Sequence, residues 1–444
     1  MIRTLAAATP DSILRADMPA AFPPAAFTTD PRAHLAFVEV MASVDESEPP
    51  WRPTVAGFLA LRLVDRWADS CDDRTVLSPR ELSAVRNAVS EAPAGPIREA
   101  LSRLVAAIAD SWGSRTASVT IALLAYAHLL QHDEEYGIAA DAYQTFLSHA
   151  DAASDDVELL PDAYQRLGFC LRMIGRLDAA ETAYETAIMV AEITGDLRAK
   201  YVSRLGAATI AKHRGNLPAA EGIVEQVVAE VTALRITNAS MGLADVSARA
   251  KHDLGTIACH RGDSERALVL LYDALQSYED EGQKEAALHD IATNLAAMGL
   301  YDAARDAHLV NYMTARRPYT RLAAAINLME LAAIEGRETN FEQYRRELAG
   351  VDMPPAALAH YQLYAGEGCE RFGRDDSARS ALKRALAAAA EYQVNEVTVR
   401  AEAGLDRLAR RVPIDRAVPL TEAPLAVAHV VRGVRQLRES AASV

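Results

Sequence analysis

The stretch YQRLGFCLRMIGRLDAAETAYETA, residues 164–187, decides the fold. Tyr164, Leu167, Gly168 and Leu171 recur at helical spacing before Gly175, and Ala180, Tyr184 and Ala187 recur at the same spacing after it. That period predicts two amphipathic helices joined by a tight turn. A glycine can take the left-handed conformation that ends the first helix. Small residues at fixed places let the two helices approach, while larger apolar residues fill the space beside them.

The same grammar extends outward. Gly215, Gly262, Gly299, Gly336 and Gly373 also follow apolar helical patterns, at successive separations of 40, 47, 37, 37 and 37 residues counted from Gly175. Gly262 is followed by Ala267, Leu271 and Ala274, Gly373 by Ala378, Leu382 and Ala385, and Gly215 by Ala220, Val224 and Val227. Leu254-Gly255 and Ile291-Ala292 stand where Leu167-Gly168 does. Periods in this range signal a solenoid of helical hairpins. The unit at Gly336 is degenerate, because Phe341 stands where a small residue is expected, and a weaker unit covers 121–150.

This pattern resembles the tetratricopeptide repeat over roughly residues 116–410, about two-thirds of the chain. The long repeats are similar in style to the sensor regions of bacterial regulators, including peptide-responsive and MalT-like proteins. The resemblance implies an all-α, right-handed α-solenoid of about six or seven helix-turn-helix hairpins. The expected organisation is a disordered segment at 1–28 and a helical region at 29–115. The solenoid follows at 116–411, then a proline-punctuated linker at 412–424 and an amphipathic helix at 425–444. In the N-terminal region helices are expected near 30–44, 54–70, 78–92 and 96–112, with Ser78-Pro79-Arg80-Glu81 as a capping box.

Composition agrees with the all-α reading. Half of the 444 residues are hydrophobic but only 6% are aromatic, and alternating β-branched runs are almost absent. A net charge of −15 argues against broad nucleic-acid binding, which needs a basic footprint. LSPRELSAVRNAVSEA (77–92) resembles the opening of a LuxR-type helix-turn-helix, yet the following GPIREALSRLVAAIAD lacks a polar, basic recognition helix. Cys71, Cys170, Cys259 and Cys369 form no C-x-x-C pair and suit a reducing compartment. No signal peptide or membrane-length apolar run is found, so a cytoplasmic location is expected.

The chemistry the sequence offers is sparse. His132-Asp133, His252-Asp253 and His289-Asp290 superficially resemble the metal-binding pairs of HD-type phosphohydrolases. Two of them fall ten residues before Gly262 and Gly299, so repeat position accounts for them without a metal. His149, Asp151, Asp155 and Asp156 read as a solvated acidic loop between repeats. No nucleophile elbow, P-loop, dinucleotide fingerprint or zinc-protease motif appears, so neither a catalytic residue nor a cofactor is assigned.

What remains is surface. In proteins of the resembled kind the first helix of each hairpin lines a concave groove. Here that implies Arg166, Phe169 and Arg172, then Thr209, Lys212 and His213, then His252, Thr256, Cys259 and His260, then His289 and Thr293. A threonine row flanked by histidines and cations would suit an acidic protein or peptide partner. The expected function is therefore a non-enzymatic scaffold or adaptor. A ligand- or peptide-sensing regulator is the alternative, and a metal-dependent hydrolase ranks below both. Apolar Leu425, Val427, Val430, Val431, Val434 and Leu437 with Arg432, Arg435 and Arg438 predict a C-terminal helix that caps the solenoid, enters the groove, or mediates self-association.

Overall fold

The computed structural model describes residues 31–48, 50–73, 75–150, 155–237, 243–392, 394–415, 418–420 and 422–442. The expected disordered segment at 1–28 lies outside them. Twenty α-helices and no strand are found among the described residues. The chain divides into two compact units, Met1–Ile223 and Val224–Val444.

In the first unit α1 (Leu35–Ser43), α2 (Trp51–Asp73), α3 (Pro79–Glu91) and α4 (Pro96–Asp110) precede the hairpins. The hairpins are α5 (Ala117–His132) with α6 (Tyr136–His149), and α7 (Leu160–Met173) with α8 (Leu177–Thr194). Next comes α9 (Leu197–His213), and α10 (Leu217–Thr237) crosses the division. The second helix begins earlier than its apolar pattern because Pro53 sits in its first turn, where no amide donor is needed. Pro79 likewise opens α3, but the Ser78 side chain makes no capping bond, so the expected capping box is not formed. Ala100, Leu101, Leu104, Val105 and Ile108 of α4 belong to the core that continues into the hairpins, so α4 is a packing helix.

The second unit holds α11 (Ala244–His260) with α12 (Ser264–Ser277), α13 (Glu281–Ala297) with α14 (Tyr301–Thr314), α15 (Pro318–Ile334) with α16 (Glu338–Leu348), and α17 (Pro355–Arg371) with α18 (Asp375–Tyr392). Two single helices follow, α19 (Asn395–Arg410) and α20 (Ala428–Ala441).

Gly175, Gly215, Gly262, Gly299, Gly336 and Gly373 all adopt φ between 70° and 80° at the hairpin turns, as the spacing requires. The α5/α6 turn has the same hydrogen bonds without the glycine. Glu134 N–H donates to Gln131 O and Glu135 N–H to Leu130 O, as Gly175 does to Arg172 O and Arg176 to Leu171 O. Glu134 therefore holds φ at 64°, a conformation that costs an L-residue roughly 1–2 kcal/mol. Glu134→Gly should raise stability by about 1 kcal/mol and the melting midpoint by about 2–4 °C. A lower midpoint in calorimetry would show that the Glu134 side chain contributes more than its backbone strain removes.

Side-chain shape explains why the turns recur. The Tyr184 ring lies against both Gly168 and Gly206, where added Cβ atoms would overlap it, and Leu271 and Leu382 occupy the same place over Gly255 and Gly366. The degenerate unit is repaired from its neighbour. Phe341 is fully buried, its ring is 5.4 Å from Phe372, and Gly368 in the next hairpin removes the Cβ that would strike it.

The C-terminal helix neither caps the last hairpin nor enters the face formed by the first helices. Instead α20 lies on α12 and α14, the second helices of two earlier hairpins. Val427, Val430 and Val434 are fully buried there, with Leu268, Leu271 and Leu275 in the same core. Gly433 faces the Tyr272 hydroxyl so closely that any Cβ would overlap it, and His429 stacks edge-on with Tyr272 at 5.8 Å. The connection runs back along the row of turns. Arg371 donates to the Asp415 carbonyl at 3.1 Å, and Leu420 N–H donates to the Gly299 carbonyl at 3.0 Å.

Candidate functional site

Counting backwards from each turn aligns the exposed faces of the first helices. In the first unit the places nine, six and three before the turn carry Ala125, His128 and Gln131 on α5, then Arg166, Phe169 and Arg172 on α7. Thr209 and Lys212 occupy the last two on α9, where the first is Gly206, buried under the Tyr184 ring. The expected groove residues of this unit thus share one face, and they differ in what they are free to do.

Arg166 is committed internally. Its Nε donates to Asp162 at 2.6 Å and its Nη1 to Gln131 at 3.4 Å, while Tyr143 also donates to Gln131 at 2.7 Å. His128 lies 3.5 Å from the same Asp162. Burial opposes ionisation of Asp162, but the neighbouring His128 and the bond from Arg166 outweigh it and hold its carboxyl below the usual range. Arg166 therefore ties α7 to α5 and is no free anchor for a ligand. Phe169 packs edge-on against Tyr136 at 5.7 Å, and the Arg172 guanidinium sits 5.2 Å over the Phe169 ring. The buried Arg172 Nε has no hydrogen-bond partner among the described residues. Lys212 is half-buried and His213 is exposed, at the end of α9.

Beside this face is a cleft of about 690 Å³ between α4 and α5. Its apolar wall is Pro96, Ala100, Ile121, Ala125 and Leu129, and His128 and His132 lie at one end. Ile121 is 55% exposed and lines this cleft. Periodicity could have found this cleft, since Ile121 stands one turn before Ala125 on the face that carries His128.

The second unit departs from expectation. Its residues six before the turn are Thr256, Thr293, Glu330 and Glu367. The threonine hydroxyls do not form a row of donors. Thr256 donates to Asp253 O at 2.9 Å and Thr293 to His289 O at 3.1 Å, each within its own helix. Thr209 in the first unit does likewise to Leu205 O at 3.0 Å. Short hydroxyl side chains satisfy themselves on the preceding turn.

The histidines are equally occupied. His252 is held between the Tyr278 hydroxyl at 3.0 Å and Asp290 at 2.8 Å, rather than paired with its neighbour Asp253. His289 packs edge-on with His308 at 5.7 Å, and burial pushes both imidazoles down, His308 to about 3. His260 ends α11 exposed. The three His-Asp sequence pairs thus scatter. Only His132 and Asp133 meet, at 3.3 Å on the surface, and among the described residues no group of three His, Cys, Asp or Glu side chains is placed to hold a metal ion.

Beyond the threonines the row turns acidic. Arg400 of α19 reaches Glu330 at 2.9 Å and Glu367 at 2.7 Å and stacks over Tyr364 at 5.1 Å, while Arg407 makes two 2.9 Å bonds to Glu370. With Asp253 and Asp290 nine before the turn, carboxylates dominate this face. In the first unit Lys212 stands one place from Thr209, whereas in the second the row beyond the threonines carries carboxylates instead of cations. Glu330 and Glu367 were legible by continuing the six-before-turn count.

A second polar centre was missed outright. His34 is buried with both ring nitrogens on carboxylates, Nδ1 at 2.9 Å from Asp141 and Nε2 at 3.0 Å from Asp65. His149 bonds the other Asp65 oxygen at 2.8 Å. A neutral imidazole has one N–H, so two carboxylate partners select the imidazolium. Burial works against that charge, but Asp141 and Asp65 outweigh it and hold the His34 pKa up to about 9. Burial also opposes ionisation of Asp65, yet its bonds from His149 and His34 keep its carboxyl low. His149 is thus the buried end of α6 and not part of a solvated loop, and Asp156 is buried too, accepting from Thr120 at 2.7 Å. Asp151 lies outside the described residues. Asp65 lies between the two imidazoles, an arrangement that ties α1, α2 and α6 together rather than forming a pocket for substrate.

No known family profile matches the chain, and no curated protein is similar to it. Among solved structures it is similar to the apo form of the quorum sensor NprR from B. thuringiensis. That match has 12% identity and a TM-score of 0.47, over 73% of this chain and 97% of that one. The apo form of RapI matches at 11% identity and a TM-score of 0.44, over 80% and 100%. Pseudomonas aeruginosa PilF matches at 15% and 0.38, over 56% and 99%. Scores this low leave the fold resting on the chain's own turns and packing. Its hairpins are tetratricopeptide-like. All four cysteines are free, and no helix among the described residues is long and apolar enough to cross a membrane.

Proposed function

We propose that the protein is a non-enzymatic scaffold that holds a peptide or protein segment along the first-helix face of its N-terminal unit. The observation that carries this is the pairing of an open apolar cleft with cationic groups on one face. Ile121, Ala125 and Leu129 offer a seat for an apolar side chain, and Arg172 and Lys212 lie further along the same aligned positions. An apolar anchor flanked by carboxylates is the partner chemistry this fits, with the anchor supplying affinity and the charges orientation. Arg166 is left out of the recognition set because Asp162 already neutralises it.

Selection from a random peptide library should enrich segments with one large apolar residue next to acidic ones. The double change Arg172→Glu with Lys212→Glu should weaken their binding by about 10–100-fold, the order expected when two rim charges reverse. Helicity by circular dichroism should stay unchanged. Enrichment of basic peptides, or binding indifferent to the double change, would defeat the assignment.

A further inference from the structure

The C-terminal helix and the surface beneath it have the properties of a plug and a socket. The α20 helix has 14 residues, near the lower limit for an isolated helix in water, so its order depends on docking. Its contacts are specific. Val430 and Val434, with Val427 just ahead of the helix, are fully buried, Gly433 fits under the Tyr272 hydroxyl, and His429 stacks on the Tyr272 ring. Burial pushes the Asp306 carboxyl of α14 up, and Arg305 of the same helix offsets this first, with smaller contributions from Arg438 and Arg435 of α20. The tether is much less specific. Between Arg411 and Leu425 the described backbone is held by Val412 N–H on the Arg407 carbonyl and by the Asp415 and Leu420 bonds.

We propose that the α12/α14 groove is an exchangeable helix seat, filled in cis by α20 and, when cis docking is denied, by α20 of a second copy of the chain. In a reciprocal exchange each copy lends one helix and receives one, and the assembly closes at a dimer. The tether decides between the two forms. A short covalent tether supplies a local concentration on the order of millimolar, which favours the closed monomer in dilute solution. Shortening the tether removes that advantage without touching either docking surface.

Deleting residues 412–424 joins α19 to the start of α20. The tether normally crosses from the α19 end past the turns of two hairpins to Gly299, with neighbouring helices packed about 8–10 Å apart. The four residues left, Arg411 and Leu425–Val427, reach about 13–14 Å when fully extended, too short for the cis seat. Light scattering on this otherwise complete chain should give twice the monomer mass, with the helical signal retained. A monomer at every concentration would overturn the proposal.

Should the deletion aggregate, a second experiment decides. In the full chain carrying Gly433→Val, the resident helix is blocked by Tyr272 while the groove stays intact. A synthetic peptide of residues 424–442 should bind this variant saturably and raise its melting midpoint. It should bind the unaltered chain at least about tenfold more weakly, because there the tethered helix competes. Absence of saturable binding to the variant would sink the exchangeable seat.

Discussion

Replacing His34 by alanine should destabilise the N-terminal unit by about 3–5 kcal/mol, the range for breaking a buried ion pair from one side. The change leaves Asp65 and Asp141 buried without the imidazolium between them, and only Asp65 keeps a histidine partner. All three tryptophans, Trp51, Trp67 and Trp112, lie in this unit, so fluorescence during urea unfolding reports on it separately. A loss below about 1 kcal/mol would mean that the cluster contributes no more than a surface pair.

The same cluster predicts an alkaline limit. The His34 pKa rises from 6.5 to about 9 on folding, so its stabilisation is complete below 6.5 and is lost as pH climbs through 9. The groups around it are Asp65 of α2, with Asp141 and His149 of α6, and the Phe58 ring stacks edge-on at 6.2 Å. The Tyr126 hydroxyl feels Asp141 as well, and burial raises its pKa far beyond this window. The urea midpoint of the wild-type unit should therefore fall between pH 7 and 9.5. The His34→Ala chain should lack that component, and matching slopes in the two proteins would contradict the assignment of the imidazolium.

The second large effect concerns Phe341. Truncation to alanine should cost about 3–5 kcal/mol, as for other fully buried aromatic residues. More telling is its partner. Alanine at Gly368 would ordinarily favour a helix by up to about 1 kcal/mol, but here its Cβ would overlap the Phe341 ring, so a cost of about 1–3 kcal/mol is expected. With Phe341→Ala already present, Gly368→Ala should change sign and stabilise. A double-mutant cycle by chemical denaturation tests this, and additive effects would mean the two residues do not share the space.

The fold was legible because it rests on local rules. Six glycines at near-regular spacing fix six turns, and the small residues around them fix the helix contacts. The α5/α6 hairpin was harder to read because Glu134 takes the glycine's conformation without its signature. Of the candidate site, only placement was legible, where helical position decides it, as for Phe169 and Arg172. Position could not show that Arg166 is bonded to Asp162, or that the threonine hydroxyls turn back on their own helices. The His34 cluster left no trace in local pattern, since its partners lie 31 and 107 residues away. His149 was misread because neighbouring acidic residues in sequence suggested solvent, while its partner Asp65 lies 84 residues back.

The path of the C-terminal segment changes how the second unit should come apart. A stack of hairpins joined only to nearest neighbours behaves as a one-dimensional chain and can fray from its end. Here α20 carries the end of the chain back to α12 and α14, so contacts also link elements far apart in the series. Opening the last hairpin then strains the tether, and releasing α20 uncovers apolar surface two hairpins away. Thermodynamically the open chain becomes a ring. Partial unfolding from the C-terminal end is suppressed, and hydrogen exchange in α13 to α18 should occur through one shared opening with nearly uniform protection.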